Sequence, residues 1–284
     1  MSAINSKAGI KEDFDRLAQR AAFSPLMEAF TRVGYGARGL IYITMGLLAV
    51  QVALGKGGAL ASPQGAIAAI GRQPAGLILL WLVLIGIISY ALWGIVRAVL
   101  DPLDKGHGMK GLLARFGFLV SAFGYAILAV PTYGYITGAS QSTSGSQTQK
   151  FTAAIMAMPG GPLVIGILGL AVLAGGLYQI YLGFSAGFDR QFQTYVLTPG
   201  EAKLVTDVGR FGTAARGVVF VLVGGLISLA AYQSNPAQPM GMDTALATLL
   251  HQPYGIWLLG VIAVGLIAFG FYSMLSALWF RLRR

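Results

Sequence analysis

Six long apolar runs, separated by polar connections, dominate the hydropathy pattern of this chain. A helix that crosses a membrane needs roughly 20 mainly apolar residues, and each run reaches that length. The sequence therefore predicts six transmembrane helices, over residues 34–54, 75–99, 116–137, 160–186, 212–232 and 254–279. Residues 1–30 mix apolar side chains with charges, which predicts a cytoplasmic lead-in that forms an amphipathic helix on the membrane surface. The alternative is a solvated segment that docks on the bundle.

The composition fits a membrane protein, and the positive charges predict its orientation. Hydrophobic residues make up 56% of the 284 and charged residues 11%, whereas soluble domains carry about 25% charged residues. Lys and Arg favour cytoplasmic connections. With alternate connections assigned to opposite sides, 17 of the 20 Lys and Arg residues fall on the side that holds both termini. We therefore expect both termini in the cytoplasm, and we interpret the net charge of +10 as a topology signal, with no nucleic-acid partner.

An internal repeat organises the six predicted helices. Three segments align without gaps, and each begins an odd-numbered helix: TRVGYGARGLIYITMG from Thr31, ARFGFLVSAFGYAILA from Ala114 and GRFGTAARGVVFVLVG from Gly209. The aligned positions are Arg32, Arg115 and Arg210; Arg38, Ser121 and Arg216; and Tyr42, Tyr125 and Phe220. The second copy has therefore lost the second arginine of the pattern and holds Ser121 in its place.

A second pattern precedes each even-numbered helix. The segments AAIGRQP, AAIMAMP and ATLLHQP end at Pro74, Pro159 and Pro253. They predict three short interfacial helices on the outer face, each followed by a proline near the start of the next span. The two patterns divide the chain into repeats over 31–101, 114–189 and 209–280. Because each repeat holds two spans, all three cross the membrane in the same direction. We expect an all-α integral membrane protein of three parallel two-helix repeats in a pseudo-threefold arrangement.

These two patterns carry a resemblance to a known family. The arginine–glycine opening, RFG-x-x-ARG in the third copy, and the proline-ended segment, in three two-helix copies, resemble a bacterial membrane family catalogued as domain of unknown function number twelve hundred and six. The resemblance covers about residues 30–280, and the first and third copies match better than the second. It implies a six-helix protein of the bacterial cytoplasmic (inner) membrane. It implies no activity, substrate or catalytic residue.

Arg38 and Arg216 are the strongest candidates for a binding site. Each lies six residues beyond an interfacial arginine, which places it about 9 Å deeper along a helix. The guanidinium groups could bind a phosphate bidentately beside an aromatic ring. We therefore predict an anion- or lipid-binding site at Arg38, Arg216 and Tyr42, with Ser121 as the asymmetric position. The alternative is that both arginines are topology anchors, or that they pair with Asp101 or Asp189.

Polar residues within the spans suggest a second kind of site. The candidates are Gln51, Gln179, Ser121, Tyr178 and Tyr181. They could line a passive pore, and the alternative is that they form hydrogen bonds between helices. All ten acidic residues lie in termini, connections or span ends. The usual carboxylate of a proton relay is therefore missing from the spans, which disfavours active transport.

The remaining composition argues against the common catalytic sites. The chain has no cysteine and two histidines, which the topology places on opposite sides of the membrane. We therefore expect no metal, no cofactor and no catalytic residue. The sequence favours a non-enzymatic scaffold or accessory subunit that binds lipid, including anionic phospholipid, or another membrane protein. The alternative function is a passive channel or carrier for a small solute or anion.

Overall fold

The computed structural model describes residues 25–101, 106, 108–139, 152–185, 199–235 and 240–279. Within these ranges the regular elements are helices. They are α1 (Pro25–Ala53), α2 (Pro63–Gly71), α3 (Gly76–Leu100), α4 (Met109–Thr137), α5 (Gly161–Phe184), α6 (Pro199–Tyr232), α7 (Met242–Leu250) and α8 (Gly255–Trp279), with a short helical segment at 152–156. The predicted lead-in helix falls mostly on residues 1–24, outside the described residues, and its last six residues belong to α1.

Six of these helices are long and apolar enough to cross a membrane. They are α1, α3, α4, α5, α6 and α8, and each overlaps one of the predicted apolar runs. The prediction of six spans and an all-α fold is confirmed. The short helices α2 and α7 and the segment 152–156 precede α3, α8 and α5 respectively, so each repeat consists of one span, one short helix and a second span.

The six spanning helices form an arc rather than a closed ring. Along it they stand in the order α4, α3, α1, α8, α6 and α5, and each packs against the next. The two ends of the arc, α4 and α5, have no comparable packing against each other along their described lengths. The break between them is called the second-repeat opening below, because both helices belong to the second repeat.

The contacts between successive repeats follow the predicted pseudo-threefold pattern. The interfaces α8–α1, α3–α4 and α5–α6 each join the second spanning helix of one repeat to the first spanning helix of the next. Two of these interfaces have a pair of glycines at equivalent repeat positions. A Cβ on Gly39 would lie 2.8 Å from the Gly270 carbonyl oxygen, and a Cβ on Gly217 would lie 2.8 Å from that of Gly176. These close approaches need glycine, as expected where small residues let membrane helices pack.

The packing within each repeat breaks this symmetry. In the first and third repeats, Gly34 and Gly212 lie against the backbone of Tyr90 and Phe269, where a Cβ would be 2.9 and 2.4 Å from the respective nitrogen. In the second repeat, the equivalent Gly117 has no heavy atom within 4 Å of an added Cβ, apart from its own helix and chain neighbours. The two spans of the second repeat are therefore separated at the position where the other two repeats are tightly closed.

The same tight turn leads into each even-numbered span. The residue after each of the three prolines adopts a left-handed conformation: Ala75 (φ 63°), Gly160 (φ 77°) and Tyr254 (φ 60°). The next residue is always glycine, because a Cβ there would lie within about 2 Å of the carbonyl oxygen at the end of the short helix; the three are Gly76, Gly161 and Gly255. This confirms the predicted short helices, and it extends their sequence pattern to Pro-x-Gly.

Candidate functional site

Arg38 of α1 lies on the inner side of the arc. Its Nε–H donates to Ser273 Oγ at 3.1 Å, and its Nη1–H donates to the Tyr90 hydroxyl at 2.5 Å. The guanidinium carbon also lies 5.1 Å from the centre of the Tyr35 ring. Arg38 is partly buried, so α1, α3 and α8 together hold a cation inside the bundle.

Arg216 of α6 is held in the same way by a different set of helices. Its Nε–H donates to the Tyr42 hydroxyl at 2.7 Å, and its Nη1–H donates to Gln179 Oε1 at 2.6 Å. Its guanidinium carbon lies 4.3 Å from the centre of the Phe220 ring. Because Tyr42 belongs to α1 and α8 stands between α1 and α6 in the arc, this contact shows that the arc curves around the site.

The ring of Phe269 connects the two arginines. The guanidinium carbons of Arg38 and Arg216 lie 4.6 and 5.0 Å from its centre. The two cations are therefore no more than about 10 Å apart. At an effective dielectric constant of about 20, two unit charges at that distance repel each other by roughly 1.7 kcal/mol. Cation–π contacts offset part of this cost, but an aromatic ring carries no countercharge.

The hydrogen-bond partners of Arg38 and Arg216 are hydroxyl and amide oxygens. Among the described residues, neither guanidinium has a carboxylate partner. Of the two acidic residues considered as partners, Asp101 accepts a hydrogen bond from the Gly106 amide, and Asp189 lies outside the described residues. The alternative pairing with Asp101 is therefore not observed, and the pairing with Asp189 stays untested. Among the described residues, the two positive charges share one aromatic interior.

The repeat explains how these contacts arise. Gln179 and Ser273 both stand twenty residues after the proline of their repeat, and each accepts from the arginine of the next repeat along the arc. The third equivalent pair is Gly94 and Ser121, in which both the acceptor and the arginine are missing. Site symmetry is thus lost at the α3–α4 interface, where Gly94 lies against the adjacent Ala122.

A third arginine, Arg97 of α3, also lies inside the bundle. Its residue exposure is 7%, and its guanidinium carbon lies 4.5 Å from the centre of the Phe118 ring, 5.4 Å from that of Tyr90 and 5.6 Å from that of Trp93. Its position in the last turn of α3 is typical of an arginine that anchors a helix end. The face that a residue near a helix end presents depends on which neighbours pack there, so its burial had no clear sequence signal.

The structure brings some predicted site residues together and separates others. Arg38, Arg216 and Gln179 meet at the site. Tyr42 also lies there, but it bonds to Arg216 and not to Arg38 of its own helix. Ser121 is partly buried on α4, beside the Ala122–Gly94 contact.

The other polar span residues do not form a common lining with Gln179. Gln51 is exposed near the far end of α1. Tyr178 and Tyr181 are 60% and 67% exposed on α5. The equivalents of Tyr178 in the other repeats, Trp93 and Tyr272, are 0% and 7% exposed. Tyr178 lacks this cover because α4 and α5 have no comparable packing against each other along their described lengths. The predicted pore residues therefore point to different surroundings, and Gln179 is an interhelical hydrogen-bond partner.

The fold and the repeat define a multi-pass helical membrane protein built from three two-helix units. Family comparison agrees: the model described as Domain of Unknown Function (DUF1206) matches three times, over residues 33–101, 116–186 and 211–279. The chain belongs to this family. It is also similar to "Uncharacterized protein YxxB" of Bacillus subtilis (strain 168), with 31% identity over 255 residues that cover 90% of this chain and 92% of the relative. No solved structure matches the chain.

Proposed function

We propose that this protein is a non-enzymatic membrane protein that binds the phosphate group of an anionic phospholipid at Arg38 and Arg216. The observation that supports this most directly is the pair of guanidinium groups on one Phe269 ring, without a carboxylate partner among the described residues. A phosphate would supply the missing countercharge. Charges within a membrane bundle are costly and are a reason to expect function.

The hydrogen-bonding capacity of the two side chains fits this proposal. A guanidinium has five N–H donors, and Arg38 and Arg216 each use two groups, Nε and Nη1, in the contacts described above. Their Nη2 groups have no hydrogen-bond partner among the described residues, and a planar guanidinium can bind two phosphate oxygens at once. The tyrosine, serine and glutamine partners fix the two forks in place, so that binding requires little ordering.

The second-repeat opening supports a lipid as the source of the phosphate. It separates two transmembrane helices whose exposed surfaces are apolar, with Phe123, Ile127 and Val130 on α4 and Leu170 and Leu177 on α5. Such a gap suits acyl chains, which can enter from the bilayer without crossing a polar surface. A free phosphate would instead have to arrive from the aqueous side. The scattered positions of Gln51, Tyr178 and Tyr181 give the channel alternative no comparable support.

The proposal includes an orientation. The distribution of Lys and Arg favours both termini in the cytoplasm of a bacterium, with the protein in its inner membrane. Arg38 and Arg216 then lie toward the cytoplasmic leaflet, where anionic lipids attract basic groups. The Cys-free sequence makes this testable with single cysteines. Ser2→Cys should react with a membrane-impermeant maleimide only in inside-out vesicles, and Ser142→Cys only in intact spheroplasts.

Thermal stability in detergent tests the lipid proposal. A ligand at one hundred times its Kd stabilises the folded state by about 2.7 kcal/mol. We expect phosphatidylglycerol to raise the Tm of the wild type, and phosphatidylcholine to have little effect. The double variant Arg38→Gln and Arg216→Gln should lose the response to phosphatidylglycerol. Inorganic phosphate, added alone, distinguishes a soluble ligand from a lipid.

A matched control removes two charges elsewhere. Lys56 and Arg72 are exposed near the opposite end of the bundle, so Lys56→Gln with Arg72→Gln should respond to phosphatidylglycerol as the wild type does. If the double arginine variant fails to fold, Arg38→Lys with Arg216→Lys supplies the comparison. It keeps both charges but removes the planar guanidinium groups, so it should bind phosphatidylglycerol more weakly than the wild type does. An equal rise in the Tm of the wild type with phosphatidylglycerol and phosphatidylcholine, and no rise with inorganic phosphate, would contradict the proposal.

A further inference from the structure

Arg97 has N–H groups that no described residue accepts. The side chain is more than nine-tenths buried, and its Nε and Nη2 atoms have no hydrogen-bond partner among the described residues. Buried polar groups are nearly always satisfied, and buried charges are paired. The rings of Phe118, Tyr90 and Trp93 lie 4.5 to 5.6 Å from the guanidinium carbon. The Tyr90 hydroxyl is also a hydrogen-bond partner of Arg97, but none of these groups carries the negative charge of an anion.

The position of Arg97 in the repeat is also unusual. It stands twenty-three residues after Pro74, and the equivalent residues of the other repeats are the uncharged Leu182 and Ser276. Only the first repeat therefore has an arginine at this position, and it lies on α3, which packs against α4. This is the interface that lacks its arginine, because the second repeat holds Ser121 at that position.

Contacts around Arg97 place it at the α3–α4 interface, near the position of the missing arginine. It follows Gly94 by three residues on α3, and Gly94 lies against Ala122 of α4. Its guanidinium carbon lies over Phe118, three residues before Ser121 on α4. It also shares the Tyr90 ring with Arg38, whose guanidinium carbon lies 5.2 Å from the ring centre. A cation from α3 thus stands close to where the arc would otherwise carry one from α4.

We infer that Arg97 is the third cation of the anion site, and that it makes the site select a phosphomonoester headgroup over a phosphodiester. This inference rests on the proposed function. A phosphodiester carries one negative charge, whereas a phosphomonoester carries about −1.5 to −2 at pH 7, with a second pKa near 6. Three guanidinium groups match the more highly charged group better. Phosphatidic acid is the membrane lipid with that headgroup chemistry, and phosphatidylglycerol is the phosphodiester for comparison.

The test compares the Kd of these two lipids for the wild type and for Arg97→Gln, with Arg72→Gln as the control. Charge-assisted hydrogen bonds correspond to about tenfold or more in affinity. We expect Arg97→Gln to weaken phosphatidic acid about tenfold and phosphatidylglycerol much less, so that the preference disappears. A soluble competitor, glycerol 3-phosphate, distinguishes a free phosphomonoester from the lipid: displacement at equal concentration indicates a soluble ligand held by the same three arginines.

The pH dependence separates a charge role from a packing role. In the wild type, the preference for phosphatidic acid should increase as the pH rises through about 6, because the phosphomonoester gains its second negative charge. In Arg97→Gln the increase should be absent. If that variant fails to fold, Arg97→Lys supplies the comparison: it keeps the charge, so the increase should persist.

A second variant tests the replacement itself. Ser121→Arg in the Arg97→Gln background restores an arginine at the repeat position, and should recover part of the preference. An unchanged ratio of the two Kd values in Arg97→Gln overturns the inference about Arg97 while the proposed function stands. A wild type that binds neither lipid overturns the proposed function instead.

Discussion

Gln179 and Ser273 occupy the same position in two different repeats, and each accepts a hydrogen bond from the arginine of the repeat that follows it in the arc. The same repeat position thus accepts from an arginine with a hydroxyl in the third repeat and with a longer amide in the second. At the remaining interface between repeats, α3–α4, Gly94 stands at the acceptor position and Ser121 at the arginine position, so both groups are missing. The site is therefore two-thirds of a symmetric arrangement.

Replacing the acceptor at one of these positions should destabilise the protein. Gln179→Leu removes the acceptor of the Arg216 Nη1–H bond and leaves a charged donor unsatisfied, which costs about 1–3 kcal/mol. We expect a lower Tm in detergent for this variant. The neighbouring Tyr178→Leu, at a 60% exposed position, is the control and should change the Tm little. Equal shifts for both variants would mean that the Arg216 contact contributes nothing to stability.

The equivalent glycines Gly34, Gly117 and Gly212, each in the first spanning helix of its repeat, should respond differently to replacement by alanine. Gly212→Ala places a Cβ 2.4 Å from the Phe269 nitrogen, and such overpacking costs about 1–3 kcal/mol. Gly117→Ala meets no atom within 4 Å from outside its own helix and chain neighbours, so we expect no destabilisation. Thermal unfolding of both variants in the same detergent tests this. Comparable losses of stability would show that α4 and α5 are in close contact.

Much of the fold follows from the sequence because its determinants are local or periodic. The six apolar runs, the arginine–glycine starts and the proline-ended segments each depend on neighbouring residues, and the structure confirms the helices and repeats that they predict. Arg38 and Arg216 were identifiable as charges within apolar runs. Their meeting on Phe269 was not, because it depends on how α1 and α6 pack around α8.

The second-repeat opening has a signal in the sequence, but the three aligned segments do not contain it. Sixteen residues after the three prolines stand Tyr90, Gly175 and Phe269. The two aromatic residues are those whose backbones Gly34 and Gly212 contact, and the second repeat has glycine instead. The partner of Tyr42 had no such signal. Helical spacing places Tyr42 beside Arg38, but the long side chain of Arg216 reaches its hydroxyl from another repeat.

Closing the opening should slow lipid exchange. Gly117 and Gly175 both have free space around an added Cβ, and the chain contains no other cysteine, so Gly117→Cys with Gly175→Cys gives a clean pair for a short bifunctional cross-linker. If the lipid enters between α4 and α5, the cross-linked protein should exchange a fluorescent phosphatidic acid more slowly than the uncross-linked pair. The single-cysteine variants, treated alike, control for modification. Unchanged exchange would mean that the lipid enters elsewhere.

The most direct measurement of the central claim is native mass spectrometry of the protein extracted from its own membrane in mild detergent. The wild type should carry one anionic phospholipid per chain, retained through gentle activation, and the Lys56→Gln, Arg72→Gln control should carry the same adduct. The Arg38→Gln, Arg216→Gln variant should appear without it. An adduct of equal mass and abundance in that variant, or a wild type with no phospholipid bound, would contradict the account.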